Sequence, residues 1–312
     1  MKFALVFPGQ GSQSIGMMAG YADLPIVRET FTEASDFLKQ DFWSLITDGP
    51  ADDINLTINT QPLMLITGVA VYRAWTSLGG AQPALLAGHS LGEYTALVAS
   101  EALAFSDALT LVCFRAQIMQ QAVPDGVGAM AAIVGLDNEN VQAICHEITQ
   151  NSNGESIEPA NYNSPGQVVI AGHKSAIIQG IELAKTKGAK LAVMLPMSIP
   201  SHCTLMKSAA LKMRQQLHNT VLQTPKISVL HNVDAQSHPD IASIREILTQ
   251  QLYSPVRWVD TIQAFATHGI THIAECGPGK VLTGLNKRID RNIQQLSLTD
   301  SEAIRQAITI LK

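Results

Sequence analysis

Residues Gly88-His89-Ser90-Leu91-Gly92 form a G-x-S-x-G run between a short apolar stretch, 84–87, and a helix-forming stretch, 93–103. Strand, tight turn and helix in that order is the setting of a nucleophile elbow, in which a serine sits at the top of the turn with its Oγ exposed. Glycine is needed at both ends because the backbone crowds there and a Cβ would clash. The adjoining helix N-terminus offers free N–H groups and the positive end of a dipole, both of which favour negative charge. The pattern marks an acyl-transfer enzyme with Ser90 as nucleophile. An ordinary strand-to-helix turn that happens to hold a serine is the competing reading.

A chain of 312 residues with 46% hydrophobic and 15% charged content buries a large core and belongs with globular enzymes. A formal net charge of −5 without a basic tract argues against a nucleic-acid partner. The apolar start Phe3-Ala4-Leu5-Val6-Phe7 meets Pro8-Gly9, too short for a signal peptide and suited to a first strand. No apolar run is long enough to cross a bilayer, so no membrane contact is expected. Cys113, Cys145, Cys203 and Cys276 have no paired spacing and read as free thiols in a reducing cytoplasm rather than a disulfide or zinc framework; no metal site is expected.

Strands and helices alternate through the first part of the chain, as in a parallel sheet covered by helices. Strands are expected at 3–7 and 84–87, and helices at 26–38, 61–78, 93–103 and 105–121, the last with Ser106 as N-cap. After the breaker Pro124-Asp125-Gly126 the rhythm changes to strand 129–134, helix 138–150, strands 157–162 and 167–171, helix 175–187 and strand 190–195. That β-α-β-β-α-β order predicts a ferredoxin-like subdomain at 127–196, inserted into a catalytic domain made of 1–126 and 197–312. Beyond it, helices are expected at 206–217, 241–252, 258–267 and 281–289, with strands at 227–230 and 271–275. The cleft between the two units is the expected site.

A serine needs a base, since its hydroxyl is a weak nucleophile. Of the nine histidines, His202 stands out, in the segment Ser198-Ile199-Pro200-Ser201-His202 that leaves the inserted unit. His231 and His272 are rivals; His146, His218 and His268 lie in polar helical stretches, His173 opens a polar turn, and His89 should point away from Ser90. No acid after Ser90 declares itself as a third triad member, and a backbone carbonyl can orient an imidazole instead. Arg115, in the middle of an apolar helix, reads either as an internal ion pair or as a bidentate clamp for a substrate carboxylate. The loop Pro8-Gly9-Gln10-Gly11-Ser12-Gln13 matches no P-loop but places backbone N–H groups at the end of a strand.

These segments together resemble the malonyl-CoA:acyl carrier protein transacylases, the malonyl-loading enzymes of bacterial fatty acid synthesis. The resemblance runs through 7–13, 88–94, Arg115, Asn161-Tyr162-Asn163-Ser164-Pro165-Gly166-Gln167, 199–202, Tyr253-Ser254-Pro255-Val256-Arg257-Trp258 and 277–282, in the family's order. It implies an α/β-hydrolase-like core with the ferredoxin-like insertion. It also implies Ser90 as nucleophile, His202 as base, the backbone N–H groups of Gln10 and Leu91 as oxyanion hole and Arg115 as holder of the malonyl carboxylate. The main-chain carbonyl of Gln251 would orient His202, and Asn161 and Asn163 would stand at the substrate cleft. The implied partners are malonyl-CoA and an acyl carrier protein; there is no cofactor beyond the coenzyme A thioester as substrate and the phosphopantetheine on the partner.

The Ile-Pro-Ser-His form before the base resembles the fatty-acid type and favours malonyl over methylmalonyl. Because the chain is itself acidic, an acidic carrier would need a local basic patch, for which Lys280, Lys287 and Arg288, with Lys190 behind them, are candidates. The two-domain form is consistent with a monomer. The rival functions are a serine thioesterase, the malonyl-loading subunit of a polyketide or malonate decarboxylase system, and a silent scaffolding subunit.

Overall fold

In the computed structural model, which describes residues 1–197 and 199–312, the chain opens with β1 (Phe3–Phe7), buried along its whole length. Helices α1 (Pro25–Leu38), α2 (Phe42–Asp48), α3 (Ala51–Asn55) and α4 (Thr57–Ser77) follow. The last begins upstream of the expected 61–78. The Thr60 N–H already bonds the Leu56 carbonyl at 2.7 Å, so a turn is closed before Pro62 removes a donor.

Then come β2 (Leu85–Gly88), α5 (Gly92–Ala99) and α6 (Phe105–Gln120). Helix α5 stops short of the expected 103 because Glu101 takes a left-handed conformation, φ 59°. The Ala102 N–H bonds the Leu97 carbonyl at 2.9 Å and the Glu101 N–H bonds Val98 at 3.0 Å, closing the helix end in a Schellman motif. Ser106 is not the N-cap of α6: Ala104 holds that position without a side-chain bond, and Ser106 is already helical.

The middle of the chain builds a second sheet from β3 (Gly128–Val134), β4 (Ile157–Ser164), β5 (Gln167–His173) and β6 (Leu191–Met194), with α7 (Asn138–Asn151) after β3 and α8 (Lys174–Thr186) after β5. Its strands are antiparallel in the order β4-β5-β3-β6. Apolar residues of α7 and α8 pack on one face in a core of their own, including Ile144, Ile148, Ile177 and Ile181. On the other face Met130, Ala160, Val169 and Ala171 pack against Cys203.

The chain then returns with α9 (Lys207–Asn219), β7 (Val229–Leu230), α10 (Ile241–Gln251), α11 (Trp258–Thr267), β8 (His272–Glu275) and α12 (Val281–Ile289). Two further elements, β9 (Gln294–Ser297) and α13 (Ser301–Ile310), lie beyond the expected last helix. The first sheet is wholly parallel, ordered β7-β2-β1-β8-β9. A strand buried on both faces reads as a continuous apolar run, which is why β1 and β2 stand out in the sequence. Strand β4 ties the second sheet to the segment between α10 and α11, where the Tyr162 N–H bonds the Val256 carbonyl at 2.9 Å and the Val256 N–H bonds Ala160 at 2.8 Å. Among the described residues no helix is long and apolar enough to cross a membrane.

Candidate active site

The turn between β2 and α5 is as crowded as its two glycines suggest. A Cβ on Gly88 would lie 1.9 Å from the Gly92 carbonyl carbon, and one on Gly92 would lie 2.1 Å from the Phe7 carbonyl oxygen at the end of β1. Ser90, at the apex, has φ 51°, a conformation that side-chain-bearing residues adopt only where the surroundings impose it. Here Asn232 imposes it: its Oδ1 accepts from the Ser90 N–H at 2.6 Å and its Nδ2 donates to the Gly88 carbonyl at 2.6 Å.

His202 lies 2.7 Å from Ser90 Oγ through Nε2. Its Nδ1 is 2.8 Å from the main-chain carbonyl of Gln251, at the end of α10. A carbonyl can only accept, so Nδ1 carries the proton and Nε2 presents the lone pair to the serine hydroxyl. His202 is itself left-handed, φ 64°, with its N–H on the Leu252 carbonyl at 2.9 Å. Burial first, and the Arg115 charge second, push its pKa down to about 3, so the imidazole is neutral at physiological pH. Ser198, four residues upstream, lies outside the described residues.

Arg115 is 2% exposed, yet among the described residues it has no carboxylate at ion-pair distance, so the internal ion pair considered from sequence is not formed. Its Nη1 donates to Gln61 Oε1 at 2.6 Å, and its Nη2 to Gln251 Oε1 at 3.1 Å and to Ser90 Oγ at 3.4 Å. Its Nε has no acceptor among the described residues, and the Tyr94 ring lies 5.5 Å from the guanidinium carbon. A guanidinium buried this deeply without an anion is costly unless a ligand supplies one.

Ser90, His202 and Arg115 open into one cleft of about 190 Å³ with Gln10, Leu91, Asn161 and Asn163 also on its walls. Neither the Gln10 nor the Leu91 N–H finds an acceptor among the described residues, and Gly9 lets the two loops approach closely, since a Cβ there would lie 2.4 Å from the His89 carbonyl oxygen. Asn163 bonds His89 Nε2 at 2.8 Å, which turns the His89 ring away from Ser90 and toward β4. His231 is buried on Glu93 and His272 lies at the start of β8; neither touches the serine. His146, His218 and His268 are exposed and His173 is half-buried.

The acyl transferase domain family matches residues 4–297. The chain belongs to that family. It is 48% identical over 309 residues to the malonyl CoA-acyl carrier protein transacylase of Salmonella typhimurium, covering 99% of each chain. It is 51% identical over 301 residues to the protein of that name from Haemophilus influenzae, covering 96% of each. Among solved structures, an acyl-carrier-protein S-malonyltransferase from Burkholderia pseudomallei superposes with TM-score 0.97 at 55% identity, over 99% of this chain and all of that one. A malonyl-transacylase in complex with a type II polyketide acyl carrier protein does so with TM-score 0.97 at 44% identity, over 99% of this chain and 100% of that one.

Two residues of this acyl transferase site, Gln61 and Asn232, escape a sequence reading, and two others, Glu93 and His231, take a role it does not give them. Gln61 holds one arm of Arg115, and Asn232 holds the elbow. Glu93 and His231 form a wholly buried pair, 2.7 Å apart, behind Ser90. Glu93 carried a signal as a charged residue in the first turn of an otherwise apolar helix, directly after the elbow, and His231 as a rival base. Among the described residues no group of His, Cys, Asp and Glu is arranged to hold a metal ion.

Proposed function

We propose that this protein transfers a malonyl group from malonyl-CoA to the phosphopantetheine thiol of an acyl carrier protein through a malonyl ester of Ser90. One observation carries the reading: a buried guanidinium without an anion stands 3.4 Å from the hydroxyl of a serine that is paired with a neutral histidine. The serine–histidine pair supplies acyl transfer, and the guanidinium supplies the preference for an acyl group that ends in a carboxylate.

His202 Nε2 takes the hydroxyl proton as Ser90 Oγ bonds the thioester carbon. The carbonyl oxygen becomes an oxyanion, received by the N–H groups of Gln10 and Leu91; one such preorganised donor is worth about 3 kcal/mol. The carbon–sulfur bond breaks, and His202 returns the proton to the coenzyme A sulfur. The carrier's thiol then gives its proton to His202 and attacks the ester carbon; the carbon–Oγ bond breaks and His202 returns the proton to Ser90 Oγ. The Gln251 carbonyl holds the imidazole in one tautomer throughout. Asn163, tied to His89, and Asn161 stand on the wall of the cleft, where they would face a bound acyl group.

The architecture that serves this chemistry reads as an α/β-hydrolase-like core, 1–126 with 197–312, and a ferredoxin-like subdomain, 127–196. The β4-β5-β3-β6 order, with the first and third strands of the unit adjacent, supports the second assignment. Four free cysteines, three of them buried, suit a reducing cytoplasm. A type II polyketide carrier is a second reading of the acceptor, favoured by the likeness to a transacylase bound to such a carrier.

Intact-protein mass spectrometry after brief exposure to malonyl-CoA tests the proposal. Wild type should gain one malonyl adduct, Ser90→Ala none, and acetyl-CoA should load poorly. Arg115→Ala should narrow or invert the preference for malonyl. Release of free coenzyme A without an adduct would point to a thioesterase instead.

A further inference from the structure

Arg115 has a countercharge that does not touch it. Glu93, wholly buried, accepts from His231 Nδ1 at 2.7 Å, from the Asn232 N–H at 3.0 Å and from Gln251 Nε2 at 2.9 Å. Gln251 Nε2 also donates to the Ser90 carbonyl at 3.0 Å, while its Oε1 accepts from Arg115 Nη2 at 3.1 Å. An amide between an anion and a cation has only one workable orientation, NH2 toward the carboxylate and oxygen toward the guanidinium. Glu93, with the Ser90 carbonyl, therefore sets which end of the Gln251 side chain faces Arg115.

The spacing matters for selectivity. A carboxylate bonded directly to Arg115 would occupy donors that a ligand carboxylate needs. No carboxylate at all would leave the buried guanidinium uncompensated and loosely held. Glu93, one amide away, favours the charged guanidinium against the effect of burial and yet leaves Arg115 Nε without a bond among the described residues. We propose that Glu93 is a positioning residue that sets malonyl selectivity, by fixing the Gln251 amide so that Arg115 stays aimed at the cleft and free of a direct carboxylate partner, ready for the donor's carboxylate. The proposal rests on Arg115 being the carboxylate clamp.

Glu93→Gln tests it, because this change keeps the size of the side chain, removes the charge and replaces one of its two acceptor oxygens by an NH2 donor. The Gln251 NH2 then keeps only the Ser90 carbonyl as a fixed acceptor, so the amide is held less firmly against the guanidinium. The KM for malonyl-CoA should rise, and the ratio of malonyl to acetyl loading should fall by about tenfold, the size of one coupled neighbour interaction. A merely structural role would slow both donors by the same factor and keep the ratio, which would overturn the proposal. Arg115→Ala is measured alongside. If it collapses the ratio while Glu93→Gln does not, the clamp stands and the role of Glu93 falls. If Arg115→Ala keeps the wild-type ratio, the clamp and the proposal fall together. Should Glu93→Gln fail to fold, as a thermal melt would show, Gln251→Met takes its place, since it keeps the main-chain carbonyl on His202 and removes the amide bridge; the same ratio decides.

Discussion

His202 is held as a base by what surrounds it, and its pH behaviour follows. Burial and then the Arg115 charge bring its pKa from 6.5 to about 3. Single-turnover loading of Ser90 by malonyl-CoA should therefore stay level as pH falls through 6.5, where an ordinary histidine would protonate. In Arg115→Ala the second cause is gone, and the acid limb should move up toward neutrality. A wild-type midpoint near pH 6.5 would contradict this. The same shift acts on stability. The unfolded chain takes up the proton first, so His202 withdraws stability as pH falls from 6.5 toward 3 and has no such effect above that window. Denaturant titrations at pH 5 and 7 should show lower stability at pH 5. Ser90, His202 and Arg115 were legible because each has a local mark: a glycine-bounded turn, a proline-stiffened segment, a charge among apolar neighbours. Gln61 and Asn232 have none. Their partners lie 54 and 142 residues away, and nothing around an amide side chain tells which of its partners it will meet.

The elbow depends on an element remote in sequence. Asn232, just past β7, bonds both the Ser90 N–H and the Gly88 carbonyl, and its own N–H goes to Glu93 at 3.0 Å. Asn232→Ala leaves two backbone groups without partners in a buried turn whose apex is already left-handed. Each such group costs about 1–3 kcal/mol. Chemical denaturation should show a loss of at least about 2 kcal/mol, and Ser90 loading should slow more than stability alone explains. An unchanged denaturation midpoint would show that the elbow holds itself. At this scale the elements with apolar periodicity were legible and the others were not. Strand β9 reads Gln-Gln-Leu-Ser, with too few apolar residues to declare a strand, and it forms by pairing with β8. Helix α13 carries its own signals, Asp300 as N-cap and Ile304, Ala307 and Ile308 on one face. The early end of α5 was hidden because Glu101, not glycine, takes the left-handed position.

The separate antiparallel sheet was legible in the change of rhythm after Gly126, whereas its junction with the rest of the chain was not. Tyr162 and Val256, or His89 and Asn163, meet only once the chain has folded. That junction bears on how an acidic carrier would approach a chain of net charge −5. Val281, Leu282 and Leu285 of α12 line the cleft, and Lys280 and Lys287 on the same stretch are exposed. Arg288 is less available than its neighbours, since its Nη1 donates to Gln167 Oε1 of β5 at 2.8 Å. Lys280 and Lys287 are therefore the better test of a docking patch beside the mouth. Long-range attraction of this kind acts on encounter and is screened within about 10 Å at 0.1 M salt. Reversing both charges to glutamate should raise the KM for the carrier several-fold, and the difference from wild type should shrink as salt is added. Loading from malonyl-CoA, which precedes carrier encounter, should keep its rate. Unchanged carrier kinetics at low salt would place the docking surface elsewhere on the rim. A fall in both half-reactions would mean that the substitutions had disturbed α12 and, through Leu282 and Leu285, the cleft itself.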